Sequence, residues 1–371
     1  MTTPDDMHWM QHALEIARQG QGTVEPNPMV GCVIVQNDQC IASGWHQFYG
    51  KEHAEIRALQ TLPDGKQDLS QASLYVTLEP CCHEGKTPPC TQAILDAGIR
   101  RVVVGLTDPF PQVNGGGIAE LRHAGVEVIE GVCEDEARRL CAPYLNLIAN
   151  QRPWITAKWA MTLDGKIATT TGSSQWISNP QCRERVHELR GRMDGILVGH
   201  QTALVDDPQL TARPAHTSVA RLATRIVLAQ NPQLVLNSHL VQTAKQIPVL
   251  VTAGPRTDHA QLELLEKQGV EVLQFDEDPA ILDGLLSELW KRDYTNLLVE
   301  GGSQILGCLL DRRLIDEVHV FVAPSLIGGQ QAPGPVAGKG MDQMADALKI
   351  HNPDIQHFGD NIYISGRLHT E

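Results

Sequence analysis

Aromatic side chains are scarce in this 371-residue sequence, at 4% of residues, and positive charge is in deficit. The 30 Lys and Arg residues face 44 Asp and Glu residues, so the formal net charge at pH 7 is −14. Nucleic-acid-binding proteins need a basic surface, and those that bind single strands add stacking aromatic rings. The composition therefore argues against a nucleic-acid partner, although a few local arginines and lysines can still hold a small anion.

Long apolar runs are also missing, since no stretch approaches the roughly 20 consecutive apolar residues that a membrane helix needs. The amino terminus, MTTPDDMHWMQHALEIA, has no basic head before an apolar stretch, so it is not typical of a secretory signal. We therefore expect no membrane association and a cytoplasmic location, where disulfides are rare.

The nine cysteines are an odd number and are unevenly spaced. Cys81, Cys82 and Cys90 form a tight cluster, which in a cytoplasmic protein favours metal binding or catalysis. The others are scattered among apolar residues and are predicted to be small buried side chains. These six are Cys32, Cys40, Cys133, Cys141, Cys182 and Cys308.

Strand and helix patterns alternate in two segments, which predicts two α/β domains over 1–150 and 151–371, divided at Gln151-Arg152-Pro153. In the first segment, a helix capped by Asp5 or Asp6 runs to residue 17, strands are predicted over 29–35, 41–45, 73–78, 101–105 and 126–129, and helices over 53–61, 91–97, 117–123 and 134–150. In the second, strands are predicted over 154–160, 195–198, 225–228, 248–251, 270–273, 296–299, 317–322 and 361–364, and helices over 180–191, 261–268, 280–291 and 303–310.

One set of residues carries the chemistry of the first segment: His53-Ala54-Glu55, Pro80-Cys81 and a later Cys90. This order matches the H-x-E…P-C-x-x-C signature of zinc deaminases, except that eight residues separate Cys81 from Cys90. A catalytic zinc ion takes three protein ligands and keeps one position for water. His53, Cys81 and Cys90 would supply one imidazole and two thiolates, and each Pro-Cys pair is interpreted as a helix entry.

Glu55 follows His53 by two residues, in the first turn of a predicted helix. That spacing places a carboxylate near the metal without making it a ligand, so it can take a proton from water and return it to the leaving amine. Asn27, between two prolines, and His46, at a strand end, are candidate substrate contacts. A rigid loop and a structural histidine explain these two residues equally well.

Three other interpretations compete with a small-molecule zinc deaminase. Cys82 or His83 would close the zinc site as a fourth ligand, but this leaves Glu55 without a role. A nucleic-acid editing deaminase shares the zinc chemistry, and the charge and low aromatic content oppose it. A zinc-stabilised binding module without activity is opposed by Glu55 and the open ligand position.

The second segment carries weaker signals when its residues are taken alone. Leu297-Leu298-Val299-Glu300-Gly301-Gly302-Ser303 predicts a strand, a glycine turn and a helix start, where backbone N–H groups can approach a phosphate. It is not the G-x-G-x-x-G fingerprint, so a Rossmann domain is not supported. Arg190 and Arg213 can clamp a phosphate, but taken alone they are better explained as ordinary surface arginines. Trp176 can pack on a cofactor, but taken alone it is better explained by a core position.

Nearly the whole chain resembles the bifunctional deaminase–reductase family of riboflavin biosynthesis. In the first segment the resemblance rests on PNPMVG (26–31), HAE (53–55) and TLEPCCHEGKTPPC (77–90), whose eight-residue spacing is typical of this branch. In the second it rests on KWAMTLDGK (158–166), SSQWI (173–177), DDPQLTAR (206–213) and EGGS (300–303).

This resemblance implies a cytidine-deaminase-like three-layer αβα domain followed by a dihydrofolate-reductase-like α/β domain. It implies zinc-dependent hydrolytic deamination of 2,5-diamino-6-ribosylamino-4(3H)-pyrimidinone 5′-phosphate, then NADPH-dependent reduction of the ribosyl chain to ribityl. It also implies a homodimer. By the same resemblance, substrate positions in the second segment are Ser174, Arg190, Leu210, Arg213 and Glu300, and cofactor positions are Ala160, Trp176, Thr202, Asp206, Gly302 and Ser303.

Overall fold

A computed structural model of the chain describes residues 3–63, 68–83, 88–215, 221–234, 236–276 and 281–368. The chain divides into two compact units, Met1–Gln151 and Arg152–Glu371. No helix in these described ranges is long and apolar enough to cross a membrane. All nine cysteines are free thiols.

The first unit is built on a five-stranded sheet in the order β2-β1-β3-β4-β5. β1 is antiparallel to β2 and β3, whereas β3, β4 and β5 are parallel. The strands are Gly31–Gln36 (β1), Gln39–Trp45 (β2), Ser73–Leu78 (β3), Arg101–Leu106 (β4) and Glu127–Ile129 (β5), and the helices are Pro4–Ala17 (α1), Ala54–Gln60 (α2), Cys90–Asp96 (α3), Gly116–His123 (α4) and Glu134–Asn150 (α5).

Helices cover both faces of this sheet, because strand side chains alternate between the faces. On β4, Val102 and Val104 pack in the core that includes α2, α3 and α4, whereas Val103 packs in the core with α1 and α5. The result is a three-layer αβα unit. The predicted cap of α1 is wrong in position: Thr3 is the N-cap, and Asp6 completes a capping box from inside the helix.

The second unit contains a nine-stranded sheet in the order β10-β9-β8-β7-β11-β6-β12-β14-β13. Neighbouring strands are parallel from β10 to β12, and the last two pairings are antiparallel. The strands are Trp154–Thr162 (β6), Gly195–Gly199 (β7), Thr224–Leu228 (β8), Val249–Ala253 (β9), Glu271–Gln274 (β10), Asn296–Val299 (β11), Glu317–Ala323 (β12), His351–Phe358 (β13) and Asn361–Arg367 (β14), and the helices are Pro180–Arg190 (α6), His200–Asp206 (α7), His239–Gln242 (α8), His259–Lys267 (α9), Ile281–Lys291 (α10) and Ser303–Asp311 (α11).

Three of these elements, α7, α8 and β13, are absent from the sequence-based expectation. β13 is an edge strand whose residues are nearly all exposed, so it carries no apolar alternation to read. α7 has one buried residue, Ala203, and α8 has only four residues. Short helices of this kind leave no amphipathic pattern in the sequence.

The expectation that six scattered cysteines are buried is half wrong. Cys32, Cys141 and Cys182 are buried, but Cys133 is half-buried and Cys40 and Cys308 are exposed. Cys40 lies on β2, the edge strand of its sheet, and Cys308 lies on the outer side of α11, where little packs against it.

Candidate active sites

A compact group of metal-binding atoms lies at one end of the first sheet. His53 is the N-cap of α2, Cys90 is the first residue of α3, and Cys81 follows the end of β3. The Sγ atoms of Cys81 and Cys90 lie 3.5 and 3.3 Å from His53 Nδ1, and all three donor atoms lie within 4.8 Å of one another. An imidazole with two thiolates is a donor set that suits zinc, so the residues present fit this ion.

The electrostatics of this group favour a thiolate at Cys81. Hydrogen bonds from Cys90 and His53 hold the pKa of the Cys81 thiol well below its usual range. The backbone N–H of Cys90 also points at Cys81 Sγ, at 3.4 Å. Metal ligation by cysteine requires the deprotonated form, so this arrangement prepares one ligand before a metal binds.

Cys82 and His83, the two residues that follow Cys81, have other contacts. Within the described ranges, neither Cys82 nor His83 belongs to a three-donor group. Cys82 Sγ lies against Gly116, and the His83 ring lies beside Phe110 at 6.4 Å between centroids. The expectation that Cys81 begins a helix is wrong, because residues 79–82 have no regular structure and only the second Pro-Cys pair starts one. Residues 84–87 of the motif lie outside the described residues.

Glu55 lies in the first turn of α2, on the same helix start as His53, and is 3% exposed. Burial raises the pKa of Glu55 to about 7, and the charge of the neighbouring His53 opposes that rise. A carboxylate with a pKa close to neutrality can both accept and return a proton, which is the behaviour of a general acid–base group.

Asn27 and His46 are joined to each other beside the metal-binding group. His46 Nδ1 lies 3.0 Å from the Glu52 carbonyl oxygen, which only accepts, so Nδ1 carries the proton. The His46 Nε2 lone pair therefore accepts from Asn27 Nδ2, at 3.1 Å. The side-chain oxygen of Asn27 takes no part in this hydrogen bond with His46. Burial lowers the pKa of His46, which favours this neutral form.

These side chains line one cavity of about 320 Å³, together with Asp108 and Tyr144. The Tyr144 hydroxyl donates to the Asp108 carboxylate, 2.9 and 3.2 Å from its two oxygens. No local pattern in the sequence points to Asp108 or Tyr144, because they are 36 residues apart and only the tertiary packing of α5 brings them together. The cavity is large enough for a heterocyclic ligand.

Glu79 is a further residue for which the sequence suggested no role. Its buried carboxylate accepts four backbone N–H groups: one oxygen accepts from Asp108 and Gly115, the other from Gly117 and Ile118, at 2.9–3.1 Å. These bonds tie the start of α4 and the cavity wall at 108 to the end of β3. Cys81 follows Glu79 by two residues, so this anchor supports a metal ligand.

Replacing Glu79 with glutamine is expected to lower the free energy of unfolding of the first unit by about 3 kcal/mol and to weaken zinc retention. A glutamine amide group would turn N–H donors toward backbone N–H donors, and each buried donor left unsatisfied costs about 1–3 kcal/mol. Melting temperature and zinc content after dialysis measure both effects. The exposed Glu127→Gln is the matched control, and equal stability of the two variants would contradict the anchoring role.

In the second unit, a buried ion cluster joins two of the predicted substrate positions. Arg190 donates through Nε and Nη2 to the two carboxylate oxygens of Glu300, at 2.5 and 2.8 Å. Lys158 Nζ lies 3.8 Å from Glu300 Oε2, and all three side chains are largely buried. Burial would raise the pKa of Glu300, but the charge and hydrogen bonds of Arg190 and the charge of Lys158 lower it to about 2.

The predicted cofactor positions lie at the starts of two neighbouring helices. α7 and α11 follow β7 and β11, which are adjacent strands. Gly301 and Gly302 form the turn before α11 with φ values of 145° and 52°, and a Cβ on Gly302 would come within 3.4 Å of Thr202 Oγ1. The φ values at this turn favour glycine, and backbone N–H groups at helix starts can face a phosphate.

The other predicted substrate and cofactor positions of the second unit are spread over several elements. Ser174 Oγ lies 3.4 Å from Asp206 Oδ1. Ser303 begins α11, and Ala160 on β6 packs beside Cys182 and Val186. The other three positions have different surroundings. Trp176 is 72% exposed, with the Arg183 guanidinium 4.7 Å from its ring. Arg213 is exposed and bonded to Gln209, and Leu210 is buried.

Comparison with known proteins places each unit in a described family. Residues 3–106 match the profile of the cytidine and deoxycytidylate deaminase zinc-binding region. Residues 153–364 match the profile of the RibD C-terminal domain, which is more than half of the chain.

Relatives that contain both regions extend the likeness over nearly the full length. The riboflavin biosynthesis protein RibD of Actinobacillus pleuropneumoniae is 39% identical over 364 residues, covering 98% of this chain and 95% of the relative. The chain belongs to the RibD family. RibD of Escherichia coli K12 is 36% identical over 369 residues, covering 96% of this chain and 98% of the relative.

Solved RibD structures show the same architecture. Acinetobacter baumannii RibD matches with a TM-score of 0.85 at 33% identity and covers 99% of both chains. The Thermotoga maritima diaminohydroxyphosphoribosylaminopyrimidine deaminase/5-amino-6-(5-phosphoribosylamino)uracil reductase matches with a TM-score of 0.82 at 33% identity, covering 98% of this chain and 99% of that one. The expected fold class is confirmed, as are the bifunctional deaminase–reductase activity of riboflavin biosynthesis and the use of zinc and NADPH.

Proposed function

We propose that the two RibD activities lie on separate units of this chain. The unit Met1–Gln151 would hydrolyse the 2-amino group of 2,5-diamino-6-ribosylamino-4(3H)-pyrimidinone 5′-phosphate, and the unit Arg152–Glu371 would reduce the ribosyl chain of the product with NADPH. The observation that carries the first assignment is the His53–Cys81–Cys90 group, which opens with Glu55 into one cavity. The second assignment is supported by the match to the RibD C-terminal domain.

In the first unit, His53, Cys81 and Cys90 would hold the zinc ion, which would supply a nucleophilic water near neutral pH. Glu55 would move the two protons of the attacking water in turn, the first to the ring nitrogen and the second to the amine, which leaves as ammonia. Asn27 binds the pyrimidine, and its orientation is set by the Nε2 lone pair of His46.

In the second unit, Arg190 and Arg213 bind the substrate phosphate, with Ser174, Leu210 and Glu300 around the sugar. Arg190 has five N–H donors, of which Glu300 uses two and the Thr211 carbonyl uses one. Two donors therefore remain for a ligand, and the exposed Arg213 supplies more. NADPH, which would supply the hydride, would be held by Ala160, Trp176, Thr202, Asp206, Gly302 and Ser303.

We further propose that the enzyme is a cytoplasmic homodimer that acts on a small phosphorylated pyrimidine. The net charge of −14 supports a small-molecule substrate over a nucleic acid. Size-exclusion chromatography with light scattering tests the dimer, and a monomer mass would contradict it.

Removing zinc separates the two activities. After treatment with a chelator such as dipicolinate, we expect ammonia release to fall by about 100-fold or more, because deamination depends on the metal. NADPH oxidation with separately prepared 5-amino-6-(5-phosphoribosylamino)uracil should be unchanged, and added Zn²⁺ should restore ammonia release. Ammonia release that persists in metal-free protein would contradict the zinc assignment, and joint loss of both activities would contradict their separation.

A further inference from the structure

A loop over residues 207–213, here called the 207–213 loop, carries two of the proposed substrate residues. It leaves α7 in a left-handed conformation at Asp207 and adopts another at Leu210, with φ values of 39° and 50°. Leucine rarely adopts such a conformation, which persists only where surrounding contacts impose it. Arg213, at the end of the loop, is exposed and is therefore not held by burial.

Helix α6 holds the loop near its end, at one backbone carbonyl. Earlier in the loop, Asp207 accepts hydrogen bonds from His239, and the Gln209 carbonyl accepts one from Arg225. The backbone carbonyl oxygen of Thr211 accepts hydrogen bonds from His187 Nδ1 and from Arg190 Nη1, both at 3.2 Å. His187 precedes Arg190 by three residues, so both side chains leave the same face of the helix. Because a carbonyl only accepts, the proton of His187 is on Nδ1.

His187 donates the hydrogen bond to the Thr211 carbonyl, and this bond uses none of the Arg190 donors that are proposed to bind the substrate phosphate. Arg190 is already bonded to Glu300 through Nε and Nη2 and needs its remaining donors for the phosphate. Burial, followed by the charges of Arg190 and Arg213, lowers the pKa of His187, so the imidazole is neutral at physiological pH. It therefore anchors the carbonyl and adds no third positive charge beside the two arginines.

We propose that His187 is a positioning residue of the reductase site, whose hydrogen bond to the Thr211 carbonyl sets the 207–213 loop and so presents Leu210 and Arg213 to the phosphorylated sugar. This inference rests on the proposed function of the second unit. The proposal gives His187 no contact with the sugar carbon that is reduced or with the hydride donor of NADPH. Loss of the His187 side chain should weaken substrate binding more than turnover. The contacts of Glu300 with Arg190 and Lys158 do not involve His187, and neither do the proposed NADPH positions.

The test compares His187→Leu, which removes the donor at similar volume, with His187→Asn, whose amide N–H can replace Nδ1–H. For His187→Leu we expect the KM for 5-amino-6-(5-phosphoribosylamino)uracil to rise about tenfold, the scale of one lost hydrogen bond, with kcat within about twofold. His187→Asn should return KM to within about threefold of the unmodified protein. Hydrogen–deuterium exchange should increase in the 207–213 loop of the leucine variant only.

The deaminase activity of the same chain is an internal control, and both it and the KM for NADPH should stay unchanged. His259→Leu, at an exposed histidine on α9, controls for the substitution itself. If His187→Leu fails to fold, His187→Ala takes its place. An unchanged KM, or an asparagine variant as impaired as the leucine variant, would overturn the inference. Absence of NADPH oxidation by the unmodified protein would instead refute the proposed function.

Discussion

Glu55→Gln is expected to reduce ammonia release by about 1000-fold or more while zinc stays bound and NADPH-dependent reduction continues. Proton transfer by a positioned side chain contributes about 10²–10⁴-fold to rate. Glutamine has nearly the shape of glutamate but cannot take a proton. Because Glu55 is not a member of the donor group formed by His53, Cys81 and Cys90, metal binding should survive the change.

Folding should also survive this substitution. Glu55 is fully buried, and burial already raises its pKa to about 7, so a neutral amide is tolerated at this position. The measurement is ammonia release with the diamino pyrimidinone phosphate, beside zinc content by elemental analysis and NADPH oxidation with the deaminated substrate. Glu15→Gln, the same change at an exposed position on α1, is the matched control.

Two results would contradict the role of Glu55. Ammonia release within a few-fold of the unmodified protein would remove it as the proton-transfer group. Loss of zinc in the glutamine variant would show that the carboxylate supports the metal rather than the chemistry.

Glu300→Gln is expected to lower the free energy of unfolding of the second unit by about 3 kcal/mol and to reduce NADPH oxidation by about 100-fold. Removing one partner of a buried ion pair typically costs about 3–5 kcal/mol because the other charge is left buried and unpaired. Here two cations, Arg190 and Lys158, would lose their carboxylate. The reoriented Arg190 would no longer face the substrate phosphate correctly.

A more exposed bidentate arginine–glutamate pair is the control. Arg292 makes a two-pronged contact with Glu271, at 3.0 and 2.6 Å, in a more exposed setting. Glu271→Gln should cost no more than about 1 kcal/mol, since exposed ion pairs contribute little. Equal destabilisation by the two variants in chemical denaturation would contradict the buried-pair argument.

The stability that Glu300 contributes should depend on pH in a defined direction. Its pKa is lowered in the folded protein from an ordinary value of 4.5 to about 2, so unfolded chains bind the proton first as pH falls. The contribution is therefore complete above pH 4.5 and is lost as pH falls toward 2. The difference in melting temperature between the unmodified protein and Glu300→Gln should be constant from neutral pH to about 5 and narrow below 4.5. A difference in melting temperature that stays constant below pH 4.5 as well would contradict the assignment of a buried negative charge to Glu300.

The local patterns were sufficient for most of the regular elements. Strand β3 over Ser73–Leu78 and helix α5 over Glu134–Asn150 have the predicted bounds, because each has an unbroken apolar pattern with polar or glycine-containing ends. The sequence also identified the metal-binding set, since His-x-Glu and the two Pro-Cys pairs are local motifs whose residue types limit the chemistry. The assignment of roles to the second-unit residues came from family resemblance rather than from their patterns.

Only the tertiary structure brought distant residues into the same site. Glu79 anchors residues 29–39 positions away, and Arg190 reaches Glu300 across 110 positions. No local pattern encodes such contacts, because a buried carboxylate or arginine finds its partner only after sheets and helices have packed. The sequence by itself determined the chemical groups and the elements that carry them. Packing decided which of those groups meet, and at what distance and pKa, because burial and charge pairing depend on neighbours far away in the chain.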